Sequence, residues 1–109
     1  LKMRVIIGES VIFLFSFMFA CQSTSGDKST ESARLFKTYC VNCHGIHGSL
    51  MTNGAKDLRF SVLSMDERIL VITQGRNAMT SFGNTLTAQQ IHTLAEYTLQ
   101  LTFRGKNAK

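Results

Sequence analysis

The sequence predicts an all-α domain of about three main helices, and three observations predict it. Ser64-Met65-Asp66-Glu67 and Thr87-Ala88-Gln89-Gln90 each have the form of a capping box, a hydroxyl residue followed three positions later by Glu or Gln. Each box runs into apolar residues at helical spacing. Ser29, Thr30 and Glu31 offer a third N-cap and first-turn acid, ahead of Leu35 and Phe36. The chain has 109 residues and 12.1 kDa, which is room for one small domain and a targeting segment and excludes a multidomain enzyme.

Lys2 and Arg4 give a positive start, and Val11 to Ala20 reads VIFLFSFMFA, apolar except at Ser16. Gly8, Glu9 and Ser10 limit the apolar run to about ten residues, against about 20 for a membrane-spanning helix. A cleaved secretory signal over residues 1–20 is therefore expected. Cys21 follows the small Ala20, and the junction resembles the lipobox of bacterial lipoproteins, which implies lipidation of Cys21. The alternative is an incidental cysteine inside a differently cleaved signal. Gln22 to Ser32, QSTSGDKSTES, is too poor in apolar residues to pack and reads as a flexible tether. The expected division is a signal peptide at 1–20, an anchor cysteine and tether at 21–32, and a folded domain at 33–109.

A folded part of about 77 residues is close to the size at which a core needs help from a disulfide, metal or cofactor. Cys40-Val41-Asn42-Cys43-His44 supplies a candidate: C-x-x-C-H is the attachment motif of c-type heme, with two thiols on about one turn of chain and a histidine beside them. An export signal fits that chemistry, whereas an isolated C-x-x-C in a reducing compartment would suggest thiol exchange. A short-range disulfide and half of a zinc site are the competing readings.

From Ala33 to Leu101 the sequence resembles a small class I c-type cytochrome, most clearly where Ala33-Arg34-Leu35-Phe36-Lys37-Thr38-Tyr39 runs into the C-x-x-C-H motif and Gly45. The resemblance implies a class I cytochrome c fold, three main helices wrapped around one covalent heme c held by Cys40 and Cys43. His44 would be one axial ligand.

The first helix is expected to run through about Tyr39, with Ala33, Phe36 and Leu35 inward. Gly45, Gly48 and Asn53-Gly54 mark a loop past the proximal face. A middle helix is expected from Met65 to Gln74, with Ile69, Leu70 and Ile72 as its apolar residues. The last and longest helix places Ile91, Leu94, Ala95, Thr98 and Leu101 at helical spacing. The resemblance further implies that the first and last helices cross, Ala33 and Phe36 meeting Leu94 and Tyr97.

Gly75 to Gly83 reads G-x-x-x-M-x-x-F, similar to the family's loop that supplies a methionine as second axial ligand, here Met79. The family's usual proline after that methionine is Thr80 here, which removes a restriction on the loop backbone. Met51, Met65, His47 and His92 read as packing or surface residues rather than ligands. The family's proximal histidine hydrogen-bonds a proline carbonyl; here the carbonyl of Ala55 or Lys56 would take that part. Leu58, Leu70 and Phe82 are candidate apolar heme contacts, with ordinary core packing as their alternative role. His/Met ligation favours ferrous iron.

Residues 33–109 hold nine basic side chains against four acidic ones, a surface suited to steering an acidic redox partner or simply to solvation. No basic-aromatic cluster suggests nucleic acid binding. The expected function is a monomeric single-electron carrier, not an enzyme. It would work between membrane or periplasmic redox proteins on the periplasmic side of a bacterial membrane. The other readings are a fixed cytochrome subunit of a larger oxidoreductase, a heme sensor of small ligands with a labile sixth ligand, and a heme-free thiol-disulfide protein.

Overall fold

A computed structural model describes residues 25–108, and both the expected signal peptide and Cys21 lie outside the described residues. Ser25–Tyr39 forms α1, Val41–His44 the single turn α2, Met65–Gln74 α3 and Ala88–Asn107 α4. Short 3-10 turns cover Thr52–Gly54 and Leu58–Phe60. Among the described residues there is no β-strand; an isolated bridge pairs Arg76 with Met79.

Both capping boxes form. Ser64 Oγ accepts from the Glu67 N–H while Glu67 Oε2 accepts from the Ser64 N–H at 2.7 Å. Thr87 Oγ1 and Gln90 Oε1 make the same exchange at 3.2 and 3.0 Å. These bonds satisfy amides that the helix itself leaves without acceptors, which is why α3 begins at Met65 and α4 at Ala88.

Helix α4 is the member that the others pack on: it touches α1, α3 and the Leu58–Phe60 turn. Its buried residues Ile91, Leu94, Ala95 and Leu101 join Leu35 and Phe36 of α1, Ile72 of α3 and Leu86 in one core. Phe36 has no exposed surface, and its ring lies 5.0 Å from that of Tyr97, tilted by 44°. Such a pair contributes about 0.5–1.5 kcal/mol beyond the area it buries.

Two expectations for α1 are corrected. Ala33 is exposed, and the small residue buried on the inner face is Ser32, four positions before Phe36 and so on the same side of the helix. The helix is also already formed at Ser25, the first described residue, inside the stretch read as a tether. A tertiary contact reaches this part of the helix, Lys28 Nζ to Glu96 Oε2 of α4 at 2.7 Å, and it is not visible in the local composition of the segment. Ser32, packed inward, donates its Oγ hydrogen within the helix to the Ser29 carbonyl at 2.9 Å.

The α3–α4 loop lacks proline and is held by hydrogen bonds instead. Gly75 ends α3 at φ 73°, ψ 170°, a conformation essentially restricted to glycine. The Met79 N–H donates to the Arg76 carbonyl at 3.0 Å, and the Phe82 and Gly83 N–H groups donate to Ile72 and Thr73 carbonyls, each at 3.0 Å. Ser81 Oγ adds a bond to the Thr73 carbonyl at 2.7 Å. The loop is thus closed on itself before Thr80 and laced to the last turn of α3 after it.

Thr87→Ala is expected to cost about 1 kcal/mol of stability in urea unfolding, the loss of one N-cap. Gly75→Ala is expected to cost about 1–3 kcal/mol, because a left-handed backbone must accept a side chain. Its Cβ would also lie 2.5 Å from the Met79 carbonyl oxygen. An unchanged unfolding midpoint for Gly75→Ala would show that the loop is not fixed there.

Candidate heme site

Helix α1 ends at Tyr39, and the next residues curl into one more turn. The Cys43 and His44 N–H groups both donate to the Cys40 carbonyl, at 3.2 and 2.9 Å, and Gly45 N–H closes on Val41 at 2.8 Å. That single turn carries both thiols and the imidazole, and all three line one cavity of about 750 Å³. Phe36, Val71, Ile72 and Leu94 contribute apolar wall from three helices, and Met79 and Phe82 come from the α3–α4 loop. The edge of Phe82 meets Tyr39 at 5.7 Å between ring centroids and an interplanar angle of 69°.

His44 Nδ1 lies 3.0 Å from the Lys56 carbonyl oxygen. A carbonyl can only accept, so Nδ1 is the donor, and in the neutral ring Nε2 then has the lone pair that an iron ligand requires. The expected carbonyl partner is therefore Lys56 rather than Ala55. Neighbouring bonds fix its position. Asp57 caps the following turn by accepting from the Arg59 N–H at 3.0 Å and pairs with the guanidinium at 3.0 and 2.7 Å. The Arg59 hydrogen bond, with that residue's charge, holds the Asp57 carboxyl below its usual range despite some desolvation. Leu58 N–H then donates to the Gly48 carbonyl at 2.8 Å, tying the segment back to the chain that follows His44.

Among the described residues, His44 and Met79 are the only histidine and the only methionine on the cavity wall. Met51 and His47 are exposed, Met65 packs on the core, and His92 sits on the outer side of α4 beside Glu96. Leu58 and Phe82 line the cavity as expected. Leu70 does not: it is 53% exposed, and Val71 and Ile72 stand on the wall in its place. At about 100° per residue, the face of α3 that buries Arg68 and Ile72 turns Leu70 to solvent.

Arg68 is the residue that sequence reasoning missed. Counted there among the surface charges, it is 3% exposed and lines the cavity. Its Nε donates to the Leu63 carbonyl at 2.9 Å, Nη1 to Thr98 Oγ1 at 3.1 Å, and Nη2 to Thr102 Oγ1 at 3.1 Å and the Ser61 carbonyl at 3.4 Å. Burial pushes its pKa down from the usual value. Thr98 and Thr102 are one helical turn apart on α4, a spacing that the sequence displays without indicating what the hydroxyls face.

Cys40 and Cys43 are free thiols. Burial, with the nearby Cys43 adding to it, pushes the Cys40 thiol up to about 12. Thiol exchange needs a thiolate, so this environment counts against Cys40 as the attacking thiol of an exchange pair. Two thiols, an imidazole and a thioether around one mainly apolar cavity fit the groups that hold a heme c.

The family described as Cytochrome C oxidase, cbb3-type, subunit III matches residues 27–97. A cytochrome c6 of Rippkaea orientalis is 36% identical over 100 residues, covering 83% of this chain and 88% of that protein. One from Gloeothece citriformis is 30% identical over 100 residues, covering 86% and 89%. The crystallised cytochrome c6 of the diatom Phaeodactylum tricornutum superposes with a TM-score of 0.61 at 26% identity, covering 70% of this chain and 95% of that one. On these matches and this site, the chain belongs to the small class I monoheme c-type cytochromes, single-electron carriers rather than enzymes, with one covalently bound heme c.

Proposed function

We propose that Cys40 and Cys43 would hold the heme through thioether bonds and that His44 and Met79 would be the ligands of its iron. The observation that carries the ligand pair is that no other histidine or methionine among the described residues lines the cavity. The bound heme iron supplies the redox chemistry, taking up and releasing one electron. His44 is held in the ligating tautomer by Lys56. Met79 is held by a loop whose backbone bonds to α3 take over from the missing proline. Leu58 and Phe82 exclude water beside the heme. A soft thioether ligand biases the iron toward the ferrous state and so raises the potential at which the protein accepts electrons.

The proposed arrangement in the cell is an exported domain working with other redox proteins. Residues 1–20 act as a signal peptide, and Cys21 is a lipidated anchor on the periplasmic side of a bacterial membrane. The folded domain includes α1, and the polar residues between Cys21 and that helix link it to the anchor. No helix among the described residues is long and apolar enough to cross a membrane. The positive balance of the domain suits a partner with an acidic docking surface, by faster encounter at low salt.

Purified protein is expected to keep its heme on a denaturing gel and to give a low-spin spectrum. In Met79→Ala the spectrum should become high-spin, with rapid carbon monoxide binding to the ferrous form. An unchanged spectrum in the variant would remove Met79 from the iron and favour a different sixth ligand or an open sensor site. Cys21→Ser should move the protein from the membrane to the soluble fraction; continued membrane retention would defeat the lipid anchor.

A further inference from the structure

A heme c carries two propionate carboxylates as well as its iron, and in the carrier reading above they must be seated in or at the mouth of this cavity. The wall has three cationic side chains, Lys56, Arg68 and Arg76, and no Asp or Glu. Lys56 and Arg76 are exposed and can leave their charge in water. Arg68 cannot, because it is 3% exposed. All its hydrogen-bond acceptors are neutral: two backbone carbonyls and two threonine hydroxyls. Among the described residues no carboxylate lies within ion-pair distance of it. Its four bonds use four of the five guanidinium N–H donors and leave one Nη1 hydrogen without an acceptor.

Solvating a cation with neutral oxygens only partly replaces water, so a buried guanidinium without an anion is an expensive feature. Its surroundings hold it rigidly. Thr98 Oγ1 accepts from Arg68 and donates its own hydroxyl hydrogen to the Ala95 carbonyl at 2.9 Å. Thr102 Oγ1 does the same toward the Leu58 carbonyl at 2.9 Å. The fork is therefore fixed between α3, α4 and the 61–63 segment, with its remaining donor and its whole charge uncommitted.

We propose that Arg68 is the buried counter-cation of one heme propionate, with the free Nη1 hydrogen as donor to the carboxylate and Thr98 and Thr102 as the hydroxyls that position the guanidinium. The inference rests on the heme-carrier reading and adds a role for Arg68 within it. The neighbouring cation keeps that propionate ionised in both oxidation states, and its positive charge favours ferrous over ferric iron.

The test is spectroelectrochemical titration of heme-loaded wild type, Arg68→Lys and Arg68→Gln between about pH 5 and pH 9, a range that ordinary carboxyls do not titrate across. Wild type and Arg68→Lys should show no propionate-linked step. In Arg68→Gln the propionate, buried without its cation, should titrate within the range, and more tightly in the ferrous form. The midpoint potential should then fall as pH rises between the two propionate pKa values, by up to one proton per electron, and lie below wild type at the alkaline end. Tyr39, Lys56 and Arg76, the ionisable groups left on the wall once Cys40, Cys43 and His44 hold the heme, are common to all three proteins, so their effects cancel in the comparison.

A purely structural clamp between α3 and α4 would lower stability in Arg68→Gln and leave potential and pH slope unchanged; that result overturns the proposal and leaves the carrier intact. Should Arg68→Gln fail to retain heme, the wild-type ferrous protein decides. Slowly exchanging Arg68 N–H signals with nuclear Overhauser contacts to a propionate methylene support the pairing, and their absence refutes it. Wild-type protein without covalent heme would overturn both readings together.

Discussion

The crossing of α1 and α4 at Phe36 and Tyr97 is the contact on which the rest of this small domain depends. Helix α1 ends one residue before Cys40, so its docking angle on α4 decides where the thiols and His44 are delivered. Helix α4 also seats α3 and the Leu58–Phe60 turn. Through them it places Val71, Ile72 and the Lys56 carbonyl around the same space. Phe36, Ile72 and Leu94 serve twice, as core and as cavity wall. Folding and cofactor binding therefore draw on the same apolar surface, and ligand binding to the folded state adds directly to its stability.

Around that crossing, polar detail performs tasks that the sequence alone leaves open. The proline carbonyl that the family offers its proximal histidine is replaced by Lys56, and the chain secures it with an Asp57–Arg59 pair and a bond from Leu58 back to Gly48. Thr80 stands where a proline would stiffen the methionine loop, and hydrogen bonds to the Ile72 and Thr73 carbonyls brace that loop instead. In both places backbone carbonyls do what ring geometry would otherwise do. A carbonyl is present at every residue, so such substitutions leave little trace in residue identity.

What the sequence made legible was local. The two capping boxes and the C-x-x-C-H turn are closed by bonds between residues three or four apart, so residue order alone identifies them. The helicity of residues 25–32, the burial of Ser32 in place of Ala33 and the outward turn of Leu70 depend on what lies across the domain, which helical periodicity does not encode to within one residue. Arg68 is the extreme case. Its acceptors Thr98 and Thr102 are 30 and 34 residues away, and a cation four places into a capped helix ordinarily reads as a solvated charge.

The thiol of Cys40 has a consequence for how the protein is made. With a pKa of about 12, its thiolate fraction near neutrality is on the order of 10⁻⁵, and oxidation to a disulfide proceeds through the thiolate. In a chain that reaches this fold before receiving its cofactor, Cys40 would thus be slow to act as the attacking thiol. The same protonation makes Cys40 a poor nucleophile, so the wall that guards the cysteine also slows its modification. Covalent maturation is then easiest on a chain that has not yet closed around α4.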